Sequence, residues 1–364
     1  MNFSKNDKIS NNQLRAVIIA ALLGNLAISA PLKIISISGS AAYLSVLLGG
    51  VAAAVLFYLA IKLMGASFTK SYEDTAQEVL GRWFSVILFL VVFIHIVLFS
   101  GFQLSAACAM VQNSMERGVN SVAAALILSA AVVYMAFKGS ECSSRMSEIA
   151  SVIMVVFILF IFALSLPSFD VETVKFTPHE GVNIINGSMF AAGSLCASEY
   201  VFILSAKAND TKKSARAVFW AFIAITLILS LGTMLSVNAF GVKEAQRKIW
   251  PVIEMMNYTE FPGSLVERQE VLMSGFYIIS SYILTGVSVY IASSLLKKIF
   301  KSSKNAVFVI LSAAAVFAVS LFGNGIYEKF NFIYWLYKYN VIIFFVMMIV
   351  PLAAYIRRNK KCGN

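Results

Sequence analysis

The sequence predicts an all-α integral membrane protein of ten transmembrane helices, arranged as a five-plus-five inverted repeat with the first and sixth helices broken. Three observations predict it. Of 364 residues, 59% are hydrophobic and 13% charged, an apolar excess that water-soluble domains do not carry. Stretches of the roughly 20 apolar residues that cross a bilayer as a helix recur along almost the whole chain. Two of these stretches, five spans apart, are interrupted by glycine, serine or proline.

The spans follow in order. The first, 13 to 37, contains LLGNLAISAPLK; Gly24, Asn25, Ser29 and Pro31 interrupt it, glycine by loosening the backbone and proline by removing a donor. The second covers 41 to 64, and the polar SYEDTAQEVLGR after it (71 to 82) predicts a short inner helix ended by Gly81. The third, 83 to 111, carries FLVVFIHIVLFSGFQ, and the fourth and fifth cover 119 to 137 and 146 to 166. The sixth, 187 to 206, reads NGSMFAAGSLCASEY near its start, where Gly187, Ser188, Ala191, Ala192, Gly193 and Ser194 leave little side-chain bulk. That softness predicts a second break at Gly193 and Ser194; close helix packing is the competing explanation. Spans seven to ten cover 215 to 239, 268 to 296, 305 to 323 and 332 to 356. Two outer stretches, 167 to 186 and 240 to 267, are long enough for structure of their own, and KEAQRKIWPVIEMM in the second predicts a helix along the membrane surface.

Lys and Arg test the count, because cytoplasmic loops retain them. Under this assignment 20 fall on the side of both termini and 9 on the other, so both ends are expected in the cytoplasm. Dispersal over short loops also accounts for the net charge of +11 without a nucleic-acid partner. The chain reads as one permease-like domain, 1 to 364, with repeats of about 13 to 166 and 187 to 356. Cys108 and Cys196 lie in apolar spans and Cys142 and Cys362 outside them, which is no disulfide framework and no zinc pattern. No phosphate loop, metal-binding histidine pair or nucleophile motif occurs, so neither an enzyme nor a cofactor or metal is expected.

Polar residues inside the spans mark the candidate site, because an ionisable group at bilayer depth costs a few kcal/mol and is placed toward the bundle interior. Glu199 lies eight residues before Lys207, about 12 Å deep at helical rise. It either recognises an amine, proton or cation, or accepts hydrogen bonds from a neighbouring broken helix. His95 is the second such group, with a proton-linked or a structural role. On span eight Ser274, Tyr277, Ser281, Thr285 and Ser288 fall on one helical face, lining a pathway or bridging helices.

KISNNQL (8 to 14), GSECSSRMSEI (139 to 149) and WPVIEMMNYTEFPGSLVERQEVL (250 to 272) carry a resemblance to the spore-germination permeases, the B subunits of nutrient germinant receptors. These belong to the amino acid/polyamine/organocation transporter superfamily. The resemblance implies the inverted-repeat fold, sensing of a small nutrient such as an amino acid, and residence in the inner spore membrane. It also implies an A-type membrane subunit and a C-type lipoprotein as partners. By superfamily analogy the ligand meets broken helices one and six, flanked by three and eight. Gly24, Asn25, Ser29, Phe99, Phe190, Gly193, Ser194, Tyr277, Ser281 and Thr285 are then the expected ligand contacts, with Glu199 and His95 as gate or proton-linked groups. A proton- or cation-coupled amino acid transporter would need the same site.

Overall fold

Ser10 starts the first helix: its hydroxyl accepts from the Gln13 amide while the Gln13 side chain accepts from the Ser10 amide, so two otherwise orphaned donors are satisfied reciprocally. This is seen in a computed structural model, which describes residues 8–68, 71–114, 120–166, 181–257, 269–302, 304–323 and 325–362. Helix α1 (Asn11–Ser29) runs into α2 (Pro31–Ser38), and Ala30 between them keeps helical angles, φ −91° and ψ −40°. The first helix is therefore kinked at Ala30–Pro31, not unwound around Gly24 and Asn25 as the sequence suggests. Asn25 and Ser29 hold the turns together from their side chains: Asn25 Nδ2 donates to the Ala21 carbonyl at 2.6 Å and Ser29 Oγ to the Asn25 carbonyl at 2.6 Å.

A 3-10 turn, Gly39–Ala41, leads to α3 (Ala42–Ser67). Helix α4 (Tyr72–Leu80) is the expected inner helix, capped by the Ser71 hydroxyl and ended by Gly81 at φ +77°. Then come α5 (Arg82–Ser114) and α6 (Ser121–Ser165), 45 residues broken inside by Gly139 at φ +82°, ψ −173°. Unbroken, such a helix would be about 68 Å long, roughly twice the hydrocarbon thickness; only glycine takes that backbone conformation freely.

Helix α7 (Gly181–Leu195) and α8 (Tyr200–Ala206) are separated by four residues and bent by 47°. The second break thus falls at Cys196–Glu199, later than expected: Gly193 and Ser194 are helical, and Glu199 stands at the break as the residue before α8. Helix α9 (Thr211–Ala245) is followed by α10 (Pro251–Asn257). The latter packs on the bundle by burying Val252, Ile253 and Met255. Helices α11 (Gln269–Phe300), α12 (Asn305–Ser320) and α13 (Ile326–Cys362) complete the chain. The described residues form no strand; one isolated parallel bridge joins Ile9 to Ala208. Residues 167–180 and 258–268, which hold much of the two outer stretches, lie outside the described residues.

Among the described residues seven helices are long and apolar enough to cross a membrane, eight with the bent α7–α8 pair, and α12 is a shorter apolar helix. The two central ones are α1 and α11, each buried over 78% of its most apolar window, against 33% for α6 and α13. Apolar side chains left outside, such as Trp83, Ile127, Val152 and Trp220, form the surface that lipid covers. The seven-residue α8 is too short to hold itself. Its Phe202 joins Phe57 of α3 and Phe344 of α13, with Phe222 of α9 stacked on Phe57 at 4.6 Å. Each such pair contributes ~0.5–1.5 kcal/mol beyond area burial, which fixes the far side of the break.

Candidate functional site

The break in α7–α8 is stabilised by side chains. A helix end leaves carbonyls without intrahelical donors, and buried in a membrane each one needs another partner. Asn340 Nδ2 donates to the Gly193 carbonyl at 3.0 Å, Ser194 Oγ to Ala191 at 2.7 Å and Ser198 Oγ to Leu195 at 2.5 Å. The glycine at 193 has a reason as well: a Cβ there would collide with the Tyr337 carbonyl of α13. Gly193 and Ser194 thus face α13 and their own helix.

From Asn340 the polar chain continues. Its Oδ1 meets His95 Nε2 at 2.7 Å, and His95 Nδ1 is paired with Glu199 Oε1. All three side chains are buried, at 0%, 7% and 3% exposure. Because the Asn340 amide already donates to Gly193, its oxygen faces the ring, so Nε2 carries a proton. Nδ1 is left facing the Glu199 carboxyl, so the two side chains form one buried pair. This buried pair sits at the broken helix.

A second chain runs along the kinked first helix. Asn25 Nδ2 donates to Ser280 Oγ at 3.0 Å and Asn25 Oδ1 accepts from Ser281 at 2.8 Å. Ser29 Oγ meets the Tyr337 hydroxyl at 2.6 Å, Gln103 Nε2 donates to that hydroxyl at 3.2 Å, and the Tyr277 hydroxyl reaches Gln103 Oε1 at 3.5 Å. Phe99 lies between the two chains, its ring parallel to His95 and 5.9 Å from Tyr337; Phe190 meets Tyr337 edge-on at 5.9 Å.

Of the twelve expected residues, Asn25, Ser29, Tyr277 and Ser281 fall on the second chain, and His95 and Glu199 on the first. Gly193 joins the first through its carbonyl, while Phe99 and Phe190 pack against Tyr337. Gly24 does not open onto the site: a Cβ there would lie 2.5 Å from Ser280 Cβ, so it serves the close approach of α1 to α11. Ser194 bonds within its own helix, and Thr285 is buried with no hydrogen-bond partner for its hydroxyl. Sequence reasoning missed Gln103, Ser280, Tyr337 and Asn340. Gln103 and Asn340 were detectable as amides inside apolar spans, and Tyr334, Tyr337 and Asn340 follow a three-residue step along one face of α13. Two of the motif stretches meet as well, Gln13 Nε2 donating to Glu148 Oε2 at 3.5 Å. No group of three metal-ligating side chains occurs among the described residues.

A bundle of apolar helices that encloses polar chains at one kinked and one broken helix is the architecture of a multi-pass membrane protein with a transporter fold. Two among the solved structures that share that fold show the likeness. One is Mhp1, a nucleobase-cation-symport-1 family transporter in a closed conformation with bromovinylhydantoin bound (TM-score 0.65, 14% identity, 91% of this chain and 78% of that one). The other is a Na+-coupled sialic acid symporter in a substrate-bound outward-open state (TM-score 0.61, 11% identity, 97% and 90%). At these identities the likeness is one of fold.

The chain belongs to the spore permease family, described as spore germination protein, whose model matches residues 8–325. Relatives in Bacillus subtilis strain 168 include spore germination protein YndE, 23% identical over 301 residues (82% of this chain, 83% of the relative). Spore germination protein A2 is 23% identical over 252 residues (69% of each chain) and B2 is 21% identical over 329 (89% of each). The family is one of permease type and not of enzymes.

Proposed function

We propose that this protein is the nutrient-sensing subunit of a spore germinant receptor, binding a small molecule, most simply an amino acid, near the bilayer midplane. The observation that carries the reading is the convergence of the kinked α1–α2 and the broken α7–α8 on two buried polar chains built with α5, α11 and α13. In this reading the chain is a single domain of ten spans: α1 with α2, and α7 with α8, each count once, and α6 counts twice because Gly139 divides it. The repeats are about 13–166 and 187–356, the termini are cytoplasmic, and the membrane is the inner spore membrane. Asn25, Ser29, Phe99, Phe190, Tyr277 and Ser281 surround the ligand, with Gln103 and Tyr337 added. Glu199 and His95 act as the gate or proton-linked groups, their contact setting how α8 sits against α5. Ligand that binds one arrangement better shifts the population toward it, and an A-type membrane subunit and a C-type lipoprotein read the change.

A second reading is a proton- or cation-coupled amino acid transporter, supported by the likeness in fold to cation symporters and by the protonatable pair at the break. Reconstitution of the purified protein, with binding and uptake measured over a panel of amino acids, separates the two. Saturable binding without concentrative uptake is the result expected for a receptor; concentrative uptake by the protein alone rules for the transporter. Absence of binding across the panel sinks the amino acid assignment.

A further inference from the structure

We infer that the groove between α2, α3, α7 and α13 is a binding site for an anionic phospholipid. Its phosphate would lie between Lys33 and Lys338 and one acyl chain along the floor. The groove encloses about 830 Å³. Its floor is apolar, with Leu56, Met189, Trp335 and Val341 among its lining, and Lys33 and Lys338 stand on its rim. Met189 is 68% exposed and Trp335 53%, so the groove opens sideways from the bundle, where lipid meets protein.

The charges select the occupant. Among the described residues no acidic side chain lines the groove, and neither lysine has an acidic partner there. Two exposed cations on long flexible stems, beside apolar surface, can both reach one headgroup. A soluble anion would satisfy the lysines and leave the floor bare. A lipid without net charge would cover the floor and leave two positive charges uncompensated. An amphiphile with an acidic head meets both demands.

The groove also reaches inward. Cys196, the first residue of the break, lines it, as do Phe190 and Tyr334, and the Tyr334 hydroxyl is buried without a hydrogen-bond partner. Phe190 contacts both Tyr334 and Tyr337 at ring distances of 5.9 Å. An acyl chain here would press on the aromatic pair that borders the polar chains. This assignment is independent of which nutrient, if any, the central site takes.

Native mass spectrometry of the full-length protein tests it, with phosphatidylglycerol and phosphatidylethanolamine offered in turn. Phosphatidylglycerol adducts should survive at collision energies that strip phosphatidylethanolamine. At about 5-fold in affinity per lysine, Lys33→Ala/Lys338→Ala should weaken retention roughly 25-fold. Lys33→Arg/Lys338→Arg should retain the lipid, which keeps the test decisive if the alanine pair does not fold. Equal retention of the two lipids, or an unchanged alanine pair, overturns the assignment. So does displacement by inorganic phosphate alone, or a photo-crosslinker at Met189 that captures a protein and not a lipid in native membranes.

Discussion

Asn340 donates to the carbonyl of Gly193 at 3.0 Å, and that one bond holds the end of α7 against the middle of α13. The same amide turns its oxygen to His95 at 2.7 Å. A single side chain therefore sets both where α7 ends and how the imidazole beside Glu199 is oriented. Asn340→Leu removes both bonds at once and strands a buried carbonyl and a ring N–H. The expected loss is ~2–4 kcal/mol at ~1–2 per stranded group, read as a lower apparent melting temperature of the purified protein.

His95 and Glu199 should behave as a unit. Removing one partner of a buried pair leaves the other uncompensated, at ~3–5 kcal/mol, whereas replacing both is far milder. His95→Phe and Glu199→Leu are each expected to be severely destabilising, and the double variant to be more stable than the sum of the two losses. Thermal stability of the four proteins in the cycle measures the coupling. Strict additivity would show that the two side chains do not act on one another.

Tyr337 ties Ser29 of α1 to Gln103 of α5. Tyr337→Phe keeps the ring contacts with Phe99 and Phe190 but deletes the hydroxyl, at a cost of about 1 kcal/mol. Ser29→Ala on top of it should add less than it does alone, because their shared bond is already gone. Under the nutrient reading, ligand binding weakens in Tyr337→Phe with the fold intact, which isothermal titration of a detergent-solubilised sample can follow.

Two glycines should respond oppositely to alanine. Gly193→Ala drives a Cβ into the Tyr337 carbonyl, and displaced backbone of that kind costs roughly 1–3 kcal/mol. Gly275→Ala on α11 meets nothing within 4 Å and should stabilise the helix by ~0.5–1 kcal/mol. Melting curves of the two variants beside the parent decide it; equal effects would mean α7 and α13 are not in close contact.

Tyr72 of α4 donates its hydroxyl to the Met347 carbonyl at 2.9 Å, and burial, with Glu73 beside it, raises its pKa well above the ordinary value of 10.0. The folded protein therefore holds the phenol neutral. Its contribution is complete below pH ~10 and is lost as pH rises beyond that. Tyr72→Phe should lose ~1 kcal/mol at neutral pH and show a shallower fall in stability above pH 10 than the parent.

Much of the fold is legible in the sequence because bilayer physics writes it there: length of apolar run, proline at 31 and charge in the loops all leave local marks. The kink at Ala30–Pro31 and the inner helix α4 are of this kind. The placement of the second break was not legible, because it depends on what faces the helix. Gly193 looks like a weak point and is instead a contact surface for α13, while Cys196–Glu199 opens where Asn340 and Ser198 supply missing donors to Gly193 and Leu195. The His95–Glu199 pair joins positions 104 apart with no periodicity to announce it. Each ionisable group stood out alone; their meeting is a property of the packed bundle.

The short bridge between Ile9 and the stretch after α8 bears on movement. Lys207 accepts from the Ile9 amide at 3.3 Å and Ile9 from the Asn209 amide at 2.9 Å, so the chain entering the kinked helix is stitched to the chain leaving the broken one. Peptide groups make the stitch, so its bonds require only that residues 9 and 209 keep an amide N–H, while the Ile9 side chain is anchored in the core. The two helix ends become one lever: a tilt of α8 at its hinge pulls the start of α1 with it, and a disturbance at either helix arrives at the same edge of the membrane.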